Sequence, residues 1–291
     1  MPINMDVKII NEPHFAPRNK NAHKGTFGTA VFIVGSYGMA GAAVLAAKAA
    51  LRSGVGIAKV ILPDKIYDIV ARQLPEAVFV PLKTSNKGTF CKDDIATICD
   101  NIKNANSVVF GCGVGISDDN AKILREVIKT AKCPLVIDAD GINLLAQSID
   151  IIKQASAPII LTPHPGEMSR LTGKSVAEIE SDRVSTAKQF SDTYNVITVL
   201  KGSETLVATP SNIYKNIIGN PGMATGGSGD TLAGILAAFL AREKDIDFAV
   251  TSAVYVHSAA GDLAAEELSQ TAMLPSDIID KLPCLFKKLE G

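Results

Sequence analysis

The segment Asn220–Asp230 places glycines, a serine and an aspartate directly before an apolar stretch, and it reads Asn-Pro-Gly-Met-Ala-Thr-Gly-Gly-Ser-Gly-Asp. From Leu232 onward the apolar residues recur at helical spacing, which predicts a helix that begins near Asp230. A glycine-rich turn entering a helix offers unpaired backbone N–H groups and the positive end of the helix dipole, which together bind anions. Asp230 alone could equally be a helix cap. A cap does not account for the rest of the segment, which therefore predicts a turn that handles a phosphate.

A second chemical segment is Leu161–Met168, where two prolines flank His164 and Glu167 lies three residues further on. The prolines predict a rigid loop just after a short buried strand. His and Glu at this spacing can bind a metal, act as acid and base, or hold a substrate. The alternative is a turn with a structural His and a Glu that starts a helix. The position at the end of a strand favours substrate contact.

Four other polar side chains are candidates with open alternatives. Lys201 ends a strand beside Gly202, where it can meet a nucleotide phosphate, although many such lysines are simply solvated. Asp138 and Asp140 follow another strand; their carboxylates could lie near a phosphate-bound Mg²⁺, or Asp138 could cap the next helix. His257 lies within an apolar helix and is expected to be a packed or pairing histidine.

Two further glycine clusters do not match known nucleotide-binding fingerprints. Gly35–Ala43 has the spacing G-x-x-G-x-x-G, and Gly111–Gly115 lacks the later Gly or Ala that the dinucleotide fingerprint needs. Neither is a P-loop. We therefore do not expect an NAD cofactor bound in the Rossmann manner.

Apolar runs of strand length alternate with stretches of helical period along the chain. The predicted strands are 29–34, 57–62, 77–82, 108–110, 135–138, 159–161 and 196–200, followed by an antiparallel hairpin of 204–208 and 213–218. Helices are predicted at 42–52 and 118–130, and the chain beyond Asp230 is predicted to be helical to its end. This alternation predicts a three-layer α/β fold, a mainly parallel central sheet with helices on both faces, and ligands at the carboxyl ends of the strands. We expect one domain over residues 1–291.

Composition excludes several partners. The 291 residues carry 29 basic and 30 acidic side chains, a net charge of −1, so no overall field attracts nucleic acid or an anionic membrane. The apolar stretch 29–62 is interrupted by Lys48 and Arg52 and is a poor membrane span. The five cysteines form no C-x-x-C pair, which indicates reduced thiols, and residues 1–24 are a polar lead-in without a secretory signal. We expect a cytoplasmic protein without nucleic-acid or membrane partners.

Together these segments resemble the ADP/ATP-dependent NAD(P)H-hydrate dehydratases of the ribokinase-like superfamily. Gly-x-Gly-Asp alone marks only the superfamily, whereas its combination with Pro-His-Pro-Gly-Glu is highly specific. Two departures, Cys112 where the family commonly has Pro and Gly141 where Ala is usual, leave the resemblance intact. The matching stretches span nearly the whole chain in the expected order: Lys24–Gly28, Gly35–Gly56, Gly111–Gly115, Asp138–Asp140, Thr162–Glu167, Lys201-Gly202 and Asn220–Gly234.

The resemblance implies a ribokinase-like fold and a repair reaction. NADH and NADPH can take up water across the 5,6 double bond of the nicotinamide to give an inactive hydrate. The family transfers a phosphoryl group from ADP or ATP to the hydroxyl of the hydrate, and the ester then loses phosphate to restore the dihydronicotinamide. Mg²⁺ would bridge the nucleotide phosphates. The resemblance also implies a homo-oligomer, for which a tetramer is one option, and a separate NAD(P)H-hydrate epimerase as functional partner.

The resemblance also implies roles for individual residues. Asp230 would orient the hydroxyl and accept its proton, while the N–H groups of Gly227, Ser228 and Gly229 would hold the charge on the moving phosphoryl. No side chain is assigned to a metal. The rival interpretation is a ribokinase-like kinase of a vitamin precursor, such as a hydroxymethylpyrimidine or hydroxyethylthiazole, that releases the ester. The resemblance assigns nucleotide contacts to Gly229, Lys201, Gly202, Ser203, Glu204 and Thr205, and hydrate contacts to Ala42, Gly113, His164 and Asp230.

Overall fold

The computed structural model of the protein describes residues 6–85 and 87–290. The strands within these residues are β1 (Val7–Ile9), β2 (Thr29–Ile33), β3 (Ile57–Pro63), β4 (Val78–Leu82), β5 (Ser107–Phe110), β6 (Leu135–Ile137), β7 (Ile159–Leu161), β8 (Ile197–Leu200), β9 (Leu206–Ala208) and β10 (Ile213–Lys215). The α-helices are α1 (Ala40–Arg52), α2 (Tyr67–Gln73), α3 (Ile95–Ile102), α4 (Asp118–Thr130), α5 (Asp140–Ala146), α6 (Pro165–Thr172), α7 (Val176–Ser181), α8 (Arg183–Tyr194), α9 (Ser228–Arg242), α10 (Ile246–Leu268) and α11 (Pro275–Leu289).

The ten strands form one sheet in the order β1-β10-β9-β8-β7-β6-β5-β2-β3-β4. All neighbours pair in parallel except β8 with β9 and β9 with β10, which form the predicted antiparallel hairpin. The carboxyl ends of β5, β6, β7 and β8 therefore meet at one edge of the sheet. The prediction of a mainly parallel sheet is confirmed.

Successive residues of the central strand β2 belong to two separate apolar cores. Ala30 and Phe32 pack with α1, α9, α10 and α11 on one face of the sheet. Val31 and Ile33 pack with α3, α4, α5, α6 and α8 on the other. Both faces are buried because a parallel sheet needs a helix for each crossover, so its strands are apolar on both sides. The predicted three-layer fold with helices on both faces is confirmed.

The element predictions fail at the start of the chain and in the stretch beyond Asp230. The polar lead-in was predicted without a strand, yet β1 pairs in parallel with β10 at the edge of the sheet; residues 1–5 of this lead-in lie outside the described residues. The stretch beyond Asp230 was predicted as helical to its end, whereas it forms α9, α10 and α11, separated at 243–245 and 269–274. The first break lies at the polar residues Glu243, Lys244 and Asp245, whereas the second runs from Ser269 to Leu274 and includes the buried Met273.

Helix α9, which carries the glycine segment at its start, packs very closely on α1. The contact uses small residues: Ala42, Ala43, Ala46, Ala47, Ala49 and Ala50 of α1 are all buried. A Cβ added at Gly234 of α9 would lie 2.1 Å from the carbonyl oxygen of Ala46. This backbone approach fixes α9, and with it Asp230, against the sheet.

We expect Gly234→Ala to lower the free energy of unfolding by about 1–3 kcal/mol, because the added methyl has no room between the helices. Gly41→Ala is the matched control, since a Cβ at Gly41 in α1 meets no atom within 4 Å. That variant should be neutral or slightly stabilised, as Ala is the better helix former. Urea unfolding measures both. Equal stability of the two variants would contradict the close packing.

No helix in residues 6–85 and 87–290 combines the length and the apolar character that a membrane crossing requires.

Candidate active site

A cavity of about 810 Å³ opens at the carboxyl edge of the sheet. It is bounded by the segments that follow β6, β7 and β8, by the loop and glycine turn that lead into α9, and by α10. Ligands of open α/β sheets bind at this edge. Most of the residues predicted from the sequence line it: Lys201, Gly202, Ser203, Glu204, Thr205, Gly227, Ser228, Gly229, Asp230 and His164.

The glycine turn ends on Gly227, which is the N-cap of α9 and has a φ of +99°. The backbone angle favours glycine here, and a Cβ at Gly227 would in addition displace Cδ1 of Leu45, which would lie 2.6 Å away. Ser228, Gly229 and Asp230 are the first three helical residues; the Ser228 N–H donates to the carbonyl oxygen of Thr225 at 3.3 Å, and the N–H groups of Gly229 and Asp230 have no intrahelical acceptor. The sequence left open whether Asp230 is a helix cap, and the structure answers this. Asp230 does not cap the helix, and its carboxylate lies within 4.8 Å of the Cys112 sulfur and the Asp138 carboxylate.

Asp230 is held in a largely buried, acidic environment. Burial raises the pKa of Asp230 to about 6, and the nearby Asp138 carboxylate adds to the rise. The Cys112 thiol and the Lys201 ammonium act in the opposite direction. A carboxyl with a pKa close to neutrality suits a general base.

Lys201 forms an ion pair with Asp138, whose side chain is 1% exposed. The Nζ atom lies 2.9 Å from Oδ1 of Asp138, and Thr162 donates its hydroxyl to the same oxygen at 2.6 Å. Burial opposes the charge of Lys201, but the carboxylates of Asp138 and Glu167 outweigh it and raise the lysine pKa above its ordinary value. Asp138 caps no helix, because the N-cap of α5 is Ala139 and carries no side-chain cap bond. A Cβ on Gly229 would lie 3.2 Å from Nζ, so this ion pair adjoins the start of α9.

His164 lies at the start of a helix, where the sequence predicted a rigid loop. Pro165 is the first residue of α6 and His164 is its N-cap, because proline fits the first helical turn, where its missing N–H is not needed. The Nδ1 atom of His164 accepts the Gly166 N–H at 3.0 Å, and Glu167 accepts the His164 N–H at 2.9 Å. The His164 side chain remains 51% exposed and lines the cavity. It is therefore both a cap and available to a ligand.

Glu167 is buried beside Lys201. Its Oε2 atom lies 3.8 Å from Nζ of Lys201, and only 6% of its side chain is exposed. Burial raises the pKa of Glu167 to about 7, although the Lys201 ammonium acts against the rise. The site therefore holds two carboxyl groups, Asp230 and Glu167, that titrate near neutral pH.

The turn after β8 continues the cavity wall. Gly202 has a φ of +144°, and Arg183 lies so close over it that a Cβ would be 2.6 Å from Nη1. Arg183 also donates to the carbonyl oxygens of Leu200 and Lys201 at 3.2 and 3.3 Å, which fixes the end of the strand. The Glu204 carboxylate accepts from Lys215 at 2.8 Å. Sequence reasoning missed Arg183, and its position in a helix of low apolar periodicity gives no signal for it.

Ala42 and Gly113 lie against each other but do not line the cavity. A Cβ on Gly113 would meet the Cβ atoms of Ala42 and Met39, each at 3.0 Å. Gly113 follows Cys112, whose Sγ lies within 4.8 Å of the carboxylates of Asp138 and Asp230. Both residues are buried, so these two predicted hydrate contacts lie beside the cavity and not in its wall.

His257 is a further site residue that the sequence did not assign. It lines the cavity from α10, and its Nε2 lies 3.3 Å from the hydroxyl of Ser228. Burial lowers the pKa of His257 to about 4, so the ring is neutral at pH 7. The expected packed or pairing histidine is found, paired with the glycine turn.

The cluster of Cys112, Asp138 and Asp230 does not fit Mg²⁺. Burial raises the pKa of the Cys112 thiol well above its ordinary value, so the sulfur stays protonated, and it is a soft donor. Lys201 already balances Asp138 at 2.9 Å. Mg²⁺ takes oxygen ligands in octahedral geometry. Within the part of the chain that the structure describes, these side chains therefore do not form a protein-only magnesium site.

Comparison with known proteins agrees with this geometry. A family model described as NAD(P)H-hydrate dehydratase matches residues 30–284. The ADP-dependent (S)-NAD(P)H-hydrate dehydratase of Bacillus subtilis is 32% identical over 293 residues, 98% of this chain and 100% of that protein. The bifunctional NAD(P)H-hydrate repair enzyme of Thermofilum pendens is 36% identical over 274 residues, 94% of this chain and 52% of that protein. The chain thus spans about half the length of this bifunctional relative.

Solved structures give the same result. The Bacillus subtilis ADP/ATP-dependent NAD(P)H-hydrate dehydratase, co-crystallised with ATP/Mg²⁺, matches with a TM-score of 0.85 and 31% identity over 98% of this chain and 100% of that one. A ribokinase-like superfamily protein of Enterococcus faecalis matches with a TM-score of 0.84 and 29% identity over 96% of this chain and 93% of that one. The fold is ribokinase-like, as predicted, and the chain belongs to the NAD(P)H-hydrate dehydratase family.

Proposed function

We propose that this protein dehydrates the hydrates of NADH and NADPH at the expense of ADP or ATP, with release of phosphate and of AMP or ADP. The observation that carries the proposal is the position of Asp230. Asp230 lies in the first turn of α9, next to Gly229, and lines the same cavity as the turn Lys201–Thr205. A base beside a phosphate-binding helix start is what the activation of a hydroxyl by phosphorylation requires.

The chemistry of phosphoryl transfer follows from these groups. An alcohol is a poor leaving group, and its phosphate ester is a good one. Asp230 orients the hydroxyl of the hydrate and takes its proton as the oxygen attacks the terminal phosphorus. The N–H groups of Gly227, Ser228 and Gly229 hold the charge on the moving phosphoryl, and each such donor contributes about 3–4 kcal/mol when preorganised.

The binding of the two substrates is part of the same proposal. The nucleotide lies along Lys201, Gly202, Ser203, Glu204 and Thr205 and reaches Gly229, next to which the ammonium of Lys201 lies. The bound hydrate touches His164 and Asp230 in the cavity and reaches Ala42 and Gly113 beside it. Mg²⁺ enters with the nucleotide phosphates, where it neutralises phosphate charge.

The wider setting is proposed on the same basis. Residues 1–291 act as one catalytic domain in a homo-oligomer, and a separate epimerase supplies the hydrate epimer that the enzyme uses. The five free cysteines support a reducing, cytoplasmic location.

The assay that tests the proposal incubates the purified protein with NADH hydrate and Mg²⁺, in parallel with ADP and ATP. We expect the absorbance band of the reduced nicotinamide to return with at least one of the nucleotides. The comparison substrates are a hydroxymethylpyrimidine and a hydroxyethylthiazole. No return of the band with either nucleotide, together with phosphorylation of one of these alcohols, would identify a vitamin-precursor kinase instead.

A further inference from the structure

The proposed reaction moves two protons, and Asp230 accounts for one of them. Asp230 becomes protonated when it takes the hydroxyl proton during phosphoryl transfer. Loss of phosphate then breaks the C–O bond of the ester and removes a proton from the neighbouring ring carbon. The electrons of that C–H bond form the ring double bond, and the C–O electrons leave with the phosphate. A second acceptor is therefore needed while Asp230 still holds the first proton.

The cavity contains few groups that can accept this second proton. The carboxyl groups that line it are Asp138, Glu167, Glu204 and Asp230. Asp138 is occupied by Lys201 at 2.9 Å and Thr162 at 2.6 Å, and Glu204 by Lys215 at 2.8 Å. Apart from Asp230, Glu167 is therefore the carboxyl group of the cavity that remains as a proton acceptor.

The two histidines of the cavity are poor acceptors. The Nδ1 lone pair of His164 is taken by the Gly166 N–H, so the ring proton is on Nε2. His257 has a pKa lowered to about 4 by burial, which makes it a weak base, and its Nε2 faces Ser228. Neither ring offers a basic lone pair to the cavity.

We propose that Glu167 is the base that takes the ring proton when phosphate leaves, an inference that rests on the dehydration function proposed above. Its Oε2 accepts the backbone N–H of His164 at 2.9 Å, which fixes the carboxylate at the cavity wall. Its Oε1 lies 3.5 Å from Nε2 of His164, whose side chain is 51% exposed. Between turnovers the proton passes from Glu167 to water in the open cavity that Glu167 lines.

The charges around Glu167 support this role. Lys201 and Asp138 reach it from the ends of β8 and β6, and His164 and Arg170 from its own helix. Burial dominates and raises the pKa of Glu167 to about 7. A base whose pKa lies near the working pH is deprotonated in a large fraction of molecules and still has a high affinity for the proton.

The test separates the two halves of the reaction in the variant Glu167→Gln. The amide keeps an oxygen for the His164 N–H but cannot take a proton. With NADH hydrate, ATP and Mg²⁺, we expect the first turnover to release ADP at the wild-type rate. The return of the reduced-nicotinamide absorbance should be at least ~100-fold slower, and phosphorylated hydrate should accumulate. Glu178→Gln is the matched control, because Glu178 is the exposed third-residue carboxylate of the same capping arrangement in α7.

Two outcomes would overturn the inference. One is wild-type recovery of NADH by Glu167→Gln. The other is an equal loss of ADP release and NADH recovery, which would indicate that Glu167 only supports Lys201. ADP release by the variant also shows that it is folded. If wild-type protein itself fails to return NADH, the proposed function fails, and that result is distinct from either outcome in the variant.

Discussion

Asp230→Asn is expected to abolish turnover of the hydrate, with a loss of about 10²–10⁴ in kcat. The amide fills the same space at the start of α9 but cannot take the hydroxyl proton. Affinity for ADP and ATP should stay near the wild-type value, because the backbone donors and Lys201 are unchanged. Single-turnover kinetics and calorimetric nucleotide titration measure the two quantities.

The pKa of Asp230 gives this expectation a pH dependence. A base must be deprotonated, so the wild-type rate should fall as the pH drops below about 6. The carboxyl holds its proton more tightly in the folded chain than in an unfolded one, so its ionisation weakens the fold as the pH rises through that value. Asp230→Asn should therefore raise the melting temperature at pH 8 while it removes activity. Asp118→Asn, at an exposed first-turn aspartate of α4, is the control and should change neither. Substantial turnover by Asp230→Asn would mean that another group is the base.

Lys201→Ala is the second change with a large expected effect. It leaves the buried Asp138 carboxylate with only uncharged partners, the Thr162 hydroxyl and the Cys112 thiol, so the free energy of unfolding should drop by about 3 kcal/mol at pH 7. It also removes the cation next to Gly229, so the rate of phosphoryl transfer should drop by about 10²–10³. Because Lys201 lowers the pKa values of both Asp230 and Glu167, the acid limb of the residual activity should move to higher pH.

A surface ion pair and a double variant serve as controls for this change. Lys103→Ala breaks an exposed pair with Asp100 and should cost less than about 1 kcal/mol. Lys201→Ala combined with Asp138→Asn should recover part of the lost stability, because no buried charge is left without a partner. Unchanged stability in Lys201→Ala, measured by urea unfolding, would show that the pair does not hold this edge of the sheet.

Local sequence patterns were sufficient to predict most of the helices and strands named in the sequence analysis. Helix α4 was predicted with the observed ends because Ser117 caps it and its apolar residues keep helical spacing. Strand β7 was also predicted with its observed ends, since a short β-branched run between turns is a local signal. Strand β1 could not be predicted, because three residues carry no period and their partner β10 lies about two hundred residues away. Tertiary pairing decides such an edge strand.

The site residues also differ in whether a local sequence pattern could predict them. The glycine turn was predictable because backbone donors at a helix start are encoded within a few neighbouring residues, from Gly227 to Asp230. The pair between Asp138 and Lys201 joins residues 63 positions apart, and only the sheet register brings them together. His164 was placed in a loop because its two prolines are turn signals, while the first-turn preference of Pro165 for a helix was the stronger effect. The acidity of Glu167 depends on burial, which no local pattern records.

In the proposed reaction phosphorylation serves to expel water, which can be measured from the ratio of the products. Wild-type protein is incubated with NADH hydrate, Mg²⁺ and ADP or ATP, and the NADH restored is compared with the nucleotide consumed and the inorganic phosphate released. We expect these three amounts to be equal throughout the reaction. Consumption of nucleotide with a stable phosphate ester, and with neither NADH nor free phosphate formed, would contradict this expectation.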